Sequence, residues 1–193
     1  MILIGENLKE KEMQILNASL KLFVEKGFHG TSTAEISKSA GVATGTLFHY
    51  FKTKEELINR LYLYSKESMV GEIAGHYNNE KSFKENIKYL WMSFVDFGIN
   101  KPEMFQFILS FHCSPYITSL TKEEIENRLE MALEAYTVGL KKHEIKNISY
   151  ELIVDFLWGS IVATVGHIEK YHQKNNSDIK EQAFDLFWDG ISQ

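Results

Sequence analysis

Thr44, Gly45, Thr46, Phe48 and His49 lie together in the stretch ISKSAGVATGTLFHYFKTKEEL, Ile36 to Leu57. The threonines bring a hydroxyl and a methyl group, His49 brings ring nitrogens, and Phe48 brings an apolar face. Such a set suits recognition by contact. Side chains suited to bond-making or metal binding are scattered instead. Glu169 and His172 form one Glu-x-x-His, a spacing that supplies di-iron ligands in helical bundles only when two copies converge. His112 beside Cys113 lacks the paired spacing of a zinc site, and His29, His76, His143 and His167 have no partner that spacing identifies. No phosphate loop or dinucleotide fingerprint is present. The sequence therefore offers no catalytic residue, no metal site and no cofactor, and a helical-bundle metalloenzyme is the disfavoured reading.

The Thr-rich stretch needs elements to hold it. With Ile36 at the fourth position of a helix-turn-helix frame, Ser37 falls where two helices approach closely and a small side chain is required. Gly41 falls at the turn, where a positive φ costs glycine nothing. Ile36, Ala40, Val42, Leu47 and Tyr50 fall on the miniature core. The second helix, Thr44 to Phe51, turns Leu47 and Phe51 inward and leaves Gly45, Phe48 and His49 outward. A helix-turn-helix lays the N-terminal end of this helix into the major groove, where threonine hydroxyls and methyls meet base edges. Gly45 lets the backbone approach closely, and Lys54, assisted by Lys52, is suited to a phosphate. The bland alternative is a helical hairpin with a glycine turn.

Composition sets the background. The chain has 193 residues, 44% hydrophobic, with a formal net charge of −5. Residues 1–60 carry eight Lys/Arg against seven Asp/Glu, and the remainder thirteen against nineteen. An acidic bulk argues against indiscriminate coating of nucleic acid but permits a local contact through the first third. The single Cys113 excludes an internal disulfide and suits a reducing cytoplasm. No basic n-region precedes the apolar start, and the weakly polar run Leu157 to Ile168 is shorter than the ~18 apolar residues a membrane span needs. The expectation is a cytoplasmic protein with no membrane segment.

Helical spacing runs almost throughout, giving an all-α fold of nine helices: 6–27, 33–40, 44–51, 54–76, 82–100, 102–112, 121–143, 150–174 and 178–192. Ile15, Leu16, Leu20, Phe23 and Val24 form the first apolar stripe, which ends at Gly27 as a C-cap. Capping boxes are expected at Ser32/Glu35, Thr53/Glu56, Ser82/Glu85 and Thr121/Glu124, and Ser177 is expected to cap the last helix.

The stretch ILNASLKLFVEKGFHGTSTAEISKSAGVATGTLFHYFKTKEELI resembles the N-terminal domain of the tetracycline-repressor (TetR) family of transcriptional regulators. The resemblance implies a DNA-binding head over residues 1–53 and a body over 54–193 that dimerises and binds a small-molecule inducer. It implies a cytoplasmic homodimer, most often a repressor, on a palindromic operator in double-stranded DNA. Carried onto matching positions, the DNA contacts are Thr33, Thr44, Gly45, Thr46, Phe48, His49, Tyr50 and Lys54. Two departures stand out. Ala43 occupies a position where the family often has Ser, which leaves the cap to Thr44, and Phe48 stands where Tyr is usual.

In the body, residues 89–116 hold eight aromatics, about twice the chain average, with few charges among them. Trp91, Phe94, Phe97, Phe107 and Phe111 are the candidate walls of an apolar or aromatic ligand's pocket, with ordinary core packing as the alternative. The eighth helix is apolar nearly all round. Its Phe156, Gly159, Ala163 and Gly166, with Phe184, Phe187 and Trp188 of the last helix, are the candidate dimer interface, against an intrachain core. A body that docks a protein partner and binds no small ligand remains the rival reading.

Overall fold

The computed structural model describes residues 10–73, 81–111, 114–118, 130–171 and 177–193. Those residues form nine helices: α1 (Glu10–Gly30), α2 (Thr33–Ser39), α3 (Thr44–Tyr50), α4 (Lys54–Ile73), α5 (Phe83–Asn100), α6 (Pro102–Phe111), α7 (Glu130–Lys141), α8 (Tyr150–Lys170) and α9 (Ser177–Ile191). The all-α expectation holds. His76, His112, Cys113, His172 and the Thr121/Glu124 cap lie outside the described residues. By packing, the chain divides into two compact units, residues 1–66 with 103–123, and residues 67–102 with 124–193.

In the first unit, α1 buries Ile15, Leu16, Leu20 and Phe23. The regular helix breaks at Gly27, where a positive φ was expected. Gly27 sits at φ 70°, ψ 178° as a kink, and one further turn runs to Gly30. Thr31 secures the extra turn beyond it, its hydroxyl lying 2.8 Å from the Gly27 carbonyl and 3.0 Å from that of Leu22. α2 opens on the expected capping box. The Glu35 N–H donates to Ser32 Oγ (3.2 Å), and the Ser32 N–H donates to the Glu35 carboxylate (3.0 Å). Gly41 takes φ 68° in the turn to α3, as its position demanded.

The first half of α4 adds Leu57, Ile58, Leu61 and Tyr62 to the core, and α6 adds Phe105, Phe107, Ile108 and Phe111. Phe23 meets Phe107 and Phe111 at 6.3 and 6.1 Å between ring centroids. At the start of α4, Thr53 Oγ1 accepts from the Glu56 N–H (3.0 Å), but the Glu56 carboxylate takes the Lys52 N–H (2.7 Å). The reciprocal half of that box is thus shifted by one residue.

In the second unit, α5, α8 and α9 pack on one another. Trp91 is fully buried, edge-on to Phe184 at 5.9 Å, and its indole N–H donates to Ser160 Oγ (2.8 Å). Lys180 pairs with Asp96 and Lys88 with Glu181 along the α5–α9 seam. The end of α9 is capped by Lys146, whose ammonium donates to the carbonyls of Asp189 (3.0 Å) and Gly190 (2.9 Å). The Ser82/Glu85 box opens α5 as expected, and Ser177 is the first residue of α9.

One face was misassigned from spacing. Phe184, Phe187 and Trp188 lie in the core of this unit, because α9 packs against α5 and α8 through them. The side of α9 left open carries Leu186, 76% exposed. On α8 the expected side is open: Phe156, Gly159, Ala163 and Gly166 are exposed, joined by Leu152. α8 is also long and apolar enough to cross a membrane by length and composition, since averaging over its length reaches beyond Leu157–Ile168.

Glu35 accepts from the Ser32 N–H and hydroxyl and pairs with Lys26 (3.1 Å), and these hold its carboxyl at about 2 instead of the usual 4.5. A depressed folded value contributes stability that is complete above the unfolded value and lost as pH falls through the folded one. The Glu35 contribution should therefore disappear between pH 4.5 and about 2. Ser32→Ala should cost about 1 kcal/mol at neutral pH and return the Glu35 titration towards its usual range, read by denaturant unfolding and carboxyl NMR.

Candidate nucleic-acid interface

α3 has seven residues, too few to persist alone. It is held by Leu47, fully buried, and by Phe51 just beyond it, 3% exposed. Turning those two inward forces the intervening residues outward. Phe48 is 40% exposed, Thr44, Gly45 and His49 are exposed, and Thr46 and Tyr50 are half-buried. His49 and Tyr50 stand edge-on with centroids 5.6 Å apart. Thr44, Gly45, Phe48 and His49 thus form the open face of α3, with Thr46 and Tyr50 half-buried at its edges, while Thr33 is half-buried at the first position of α2.

The start of α3 differs from expectation. Ala43 is the N-cap and supplies no side-chain bond, and Thr44 does not replace it. The Thr44 hydroxyl lies 3.0 Å from Ser37 Oγ, and Ser37 is buried between α2 and α3. The small residue at position 37 therefore does more than permit close approach; it hydrogen-bonds the second helix to the first.

Gly45 has a negative φ, and a Cβ built on it would meet no atom within 4 Å. Neither conformation nor internal packing requires glycine there. Its effect is external: a bare strip of backbone between Thr44 and Thr46 that a flat partner can approach.

Lys54 has a job that spacing did not reveal. Its ammonium donates to the Thr31 carbonyl (2.6 Å) and lies 4.1 Å from the centre of the Phe28 ring. Burial pushes its pKa down, partly offset by Glu55. It ties α4 to the junction between α1 and α2, leaving two of its three protons for another acceptor. Lys52 lies near the last carbonyls of α3, at 3.4 Å from Phe48 O and 3.5 Å from His49 O. The exposed Lys38 on the last turn of α2 is a cation near this face that the sequence reading passed over.

The aromatic candidates of residues 89–116 separate. Phe107 and Phe111 belong to the first unit, against Phe23, while Trp91, Phe94 and Phe97 lie on α5 in the second. Phe97 and Phe107 are fully buried, and Phe94 is half-buried, edge-on to Trp158 at 5.9 Å. A cavity of about 440 Å³ opens in the first unit, lined by Glu12, Tyr50, Glu55, Glu56 and Arg60 among others and by none of these five aromatics. Among the described residues no three His, Cys, Asp or Glu side chains group as metal ligands would.

Residues 15–61 match the family described as bacterial regulatory proteins, tetR family. A relative named fatty acid metabolism regulator protein, from Bacillus subtilis strain 168, is 27% identical over 81% of this chain and 82% of its own length. The transcriptional regulator UidR of Escherichia coli K12 is 44% identical over 54 residues, 28% of each protein. A crystal structure from Shewanella sp. PV-4, described as a tetR family transcription regulator, superposes with a TM-score of 0.86 at 29% identity, covering 95% of this chain and 98% of that one.

Because glycine at position 45 relieves no clash, Gly45→Ala should stabilise the folded chain by about 0.4–1 kcal/mol through helix propensity and a less flexible unfolded state. Thermal or denaturant unfolding of the variant checks this; a loss of stability would mean that the fold itself needs glycine there.

Proposed function

This chain belongs to the TetR family of bacterial transcriptional regulators, and we propose that it is a ligand-responsive repressor that grips a palindromic operator as a cytoplasmic homodimer. The observation that carries the DNA contact is the open face of α3, with Gly45 bare at its centre and no internal reason for the glycine. In this reading Thr44, Gly45, Thr46, Phe48, His49 and Tyr50 enter the major groove, and Thr33 and the spare protons of Lys54 reach the backbone. Selection of duplexes from a randomised library by the full-length chain tests it. The expected product is a sequence with two-fold symmetry, bound about tenfold more weakly by Gly45→Ala, the scale of one lost base-edge contact. A chain that enriches no duplex would overturn the reading.

Two heads are needed because half-sites recur one helical turn apart, at ~34–36 Å. The surface proposed to join two copies is the open side of α8 with Leu186 of α9. Gly159, Ala163 and Gly166 let a second helix approach closely, and Leu152, Phe156 and Leu186 supply apolar area that water otherwise faces. The same covering accounts for an apolar helix whose most hydropathic window is only 22% buried within the chain. Ala163 is exposed in the single chain, so Ala163→Glu leaves the subunit fold intact while setting like charges in a closed interface. The variant should sediment as a monomer and lose operator affinity although the head is unchanged. A dimer of normal stability would move the interface elsewhere.

The ligand is proposed to be an apolar or flat aromatic molecule taken up by the second unit, with Trp91, Phe94 and Phe97 of α5 as wall candidates; Phe107 and Phe111, packed on Phe23 in the first unit, are not among them. Phe94, half-buried beside Trp158, is the most accessible of them. Between Tyr89 and Tyr116 the only charged side chains are Asp96, Lys101 and Glu103. Asp96 and Lys101 are paired to Lys180 and Glu72, which disfavours a polyanion. The Bacillus subtilis relative bears the name of a fatty acid metabolism regulator, and an acyl chain is one ligand of the proposed class. Titration of the operator complex should show release by acyl or aromatic compounds, each methylene buried contributing about 0.8 kcal/mol. Response only to polycarboxylates would refute this choice of ligand.

A further inference from the structure

We infer that α3 reads its operator chiefly through thymine 5-methyl groups. The inference rests on the reading of α3 as the DNA-contacting helix and names the base-edge chemistry that helix selects. From Thr44 to Tyr50 the chain holds no Arg, Lys, Asn, Gln, Asp or Glu. The forked side chains that make paired hydrogen bonds to guanine or adenine are therefore missing from the helix, as are the carboxylates that accept from cytosine.

The hydroxyl nearest the start of the helix is also engaged. Ser37 Oγ lies 3.0 Å from the Ala34 carbonyl and at the same distance from the Thr44 hydroxyl. Either hydroxyl can donate in the second of these bonds, so one polar valence of Thr44 Oγ1 is taken up inside the chain. With Oγ1 held against a buried partner, the Cγ2 methyl is the part of Thr44 turned away from Ser37. It cannot donate to a base; it can only pack.

Apart from the His49 ring, what remains outward is mostly apolar or small. Phe48 presents a ring 40% exposed, Thr46 carries a second methyl, and a Cβ added at Gly45 would meet nothing within 4 Å beyond its chain neighbours and its own helix. Thymine alone among the four bases offers a methyl on its major-groove edge. A surface of methyls and one aromatic ring around bare backbone is complementary to that group. Thr46 Oγ1 and the His49 ring keep polar capacity, which adds a bond or two without supplying a fork.

The test uses the full-length chain and a duplex it has selected from a random library. Each thymine is replaced singly by deoxyuridine, which deletes the methyl and leaves both pairing edges unchanged. At one or more thymines in each half-site the affinity should fall about three- to fourfold per methyl removed. Thr44→Ser keeps the hydroxyl bond to Ser37 and removes only the methyl, so it should lose a similar factor and become indifferent to uracil at the matching position. Phe48→Ala, at an exposed site, should likewise abolish sensitivity at its own thymine, with folding verified by circular dichroism. A selected duplex that tolerates uracil at every position, or losses that simply multiply in every combination, overturns the methyl reading while leaving the regulator reading standing. Failure to select any duplex overturns both.

Discussion

Everything the head presents depends on the burial of Leu47 and Phe51 beneath a helix of seven residues. A helix that short has paid its nucleation cost without enough internal bonds to recover it. Its persistence comes from packing: Leu47 fully buried, Ile36 of α2 fully buried, and the Ser37–Thr44 contact across the turn. The direction of the open face follows from geometry, because residues on one side of α3 cannot be buried without exposing those on the other. The recognition surface is thus a by-product of a small core, and its accuracy is set by how tightly that core fits.

A second layer holds the core's supports in register. Thr31 closes the last turn of α1 with its hydroxyl and gives its carbonyl to Lys54 of α4. Phe28 lies between the Lys54 ammonium on one side and Tyr116 stacked at 3.8 Å on the other, while Tyr116 reaches the His29 ring. Asn59 of α4 completes this set as a peptide would, donating to the Tyr116 carbonyl (2.8 Å) and accepting from the Thr118 N–H (2.9 Å). The segment after α6 is thereby bound to the same residues that fix the start of α2. A shift in residues 114–118 would be felt at the α1–α2 junction through contacts that are directional and nearly all satisfied.

Several charges of the head are occupied at home. Lys26 is paired with Glu35, Lys54 with the Thr31 carbonyl, and Arg60 lies 3.8 Å from Glu12. Lys38 stands exposed, and the region as a whole is near neutral. A surface of this kind has little of the sequence-independent attraction that a strongly basic face exerts. Discrimination must then come from shape and contact at α3, which agrees with its content of threonine, glycine and aromatic residues.

Local rules carried the sequence reading a long way. The positive φ at Gly41, the capping boxes at Ser32 and Ser82, and the in-or-out alternation of Leu47, Phe48 and Phe51 are each set by neighbours within a few residues, where steric and hydrogen-bonding demands act alone. Residues brought together from a distance were decided elsewhere. Whether Phe184, Phe187 and Trp188 faced a partner or their own core depended on where α5 passed, and periodicity marks an apolar side without saying what covers it. The partition of Phe107 from Trp91 followed from the packing of α6 with α1, and the capture of Lys54 by a carbonyl twenty-three residues earlier followed from the entry angle of α4. The sequence alone determined the helices, the capping boxes at Ser32 and Ser82, and the face that α3 would show. Only the tertiary structure decided which apolar faces were left open and which polar groups were already spent, because those depend on contacts between residues that no local pattern connects.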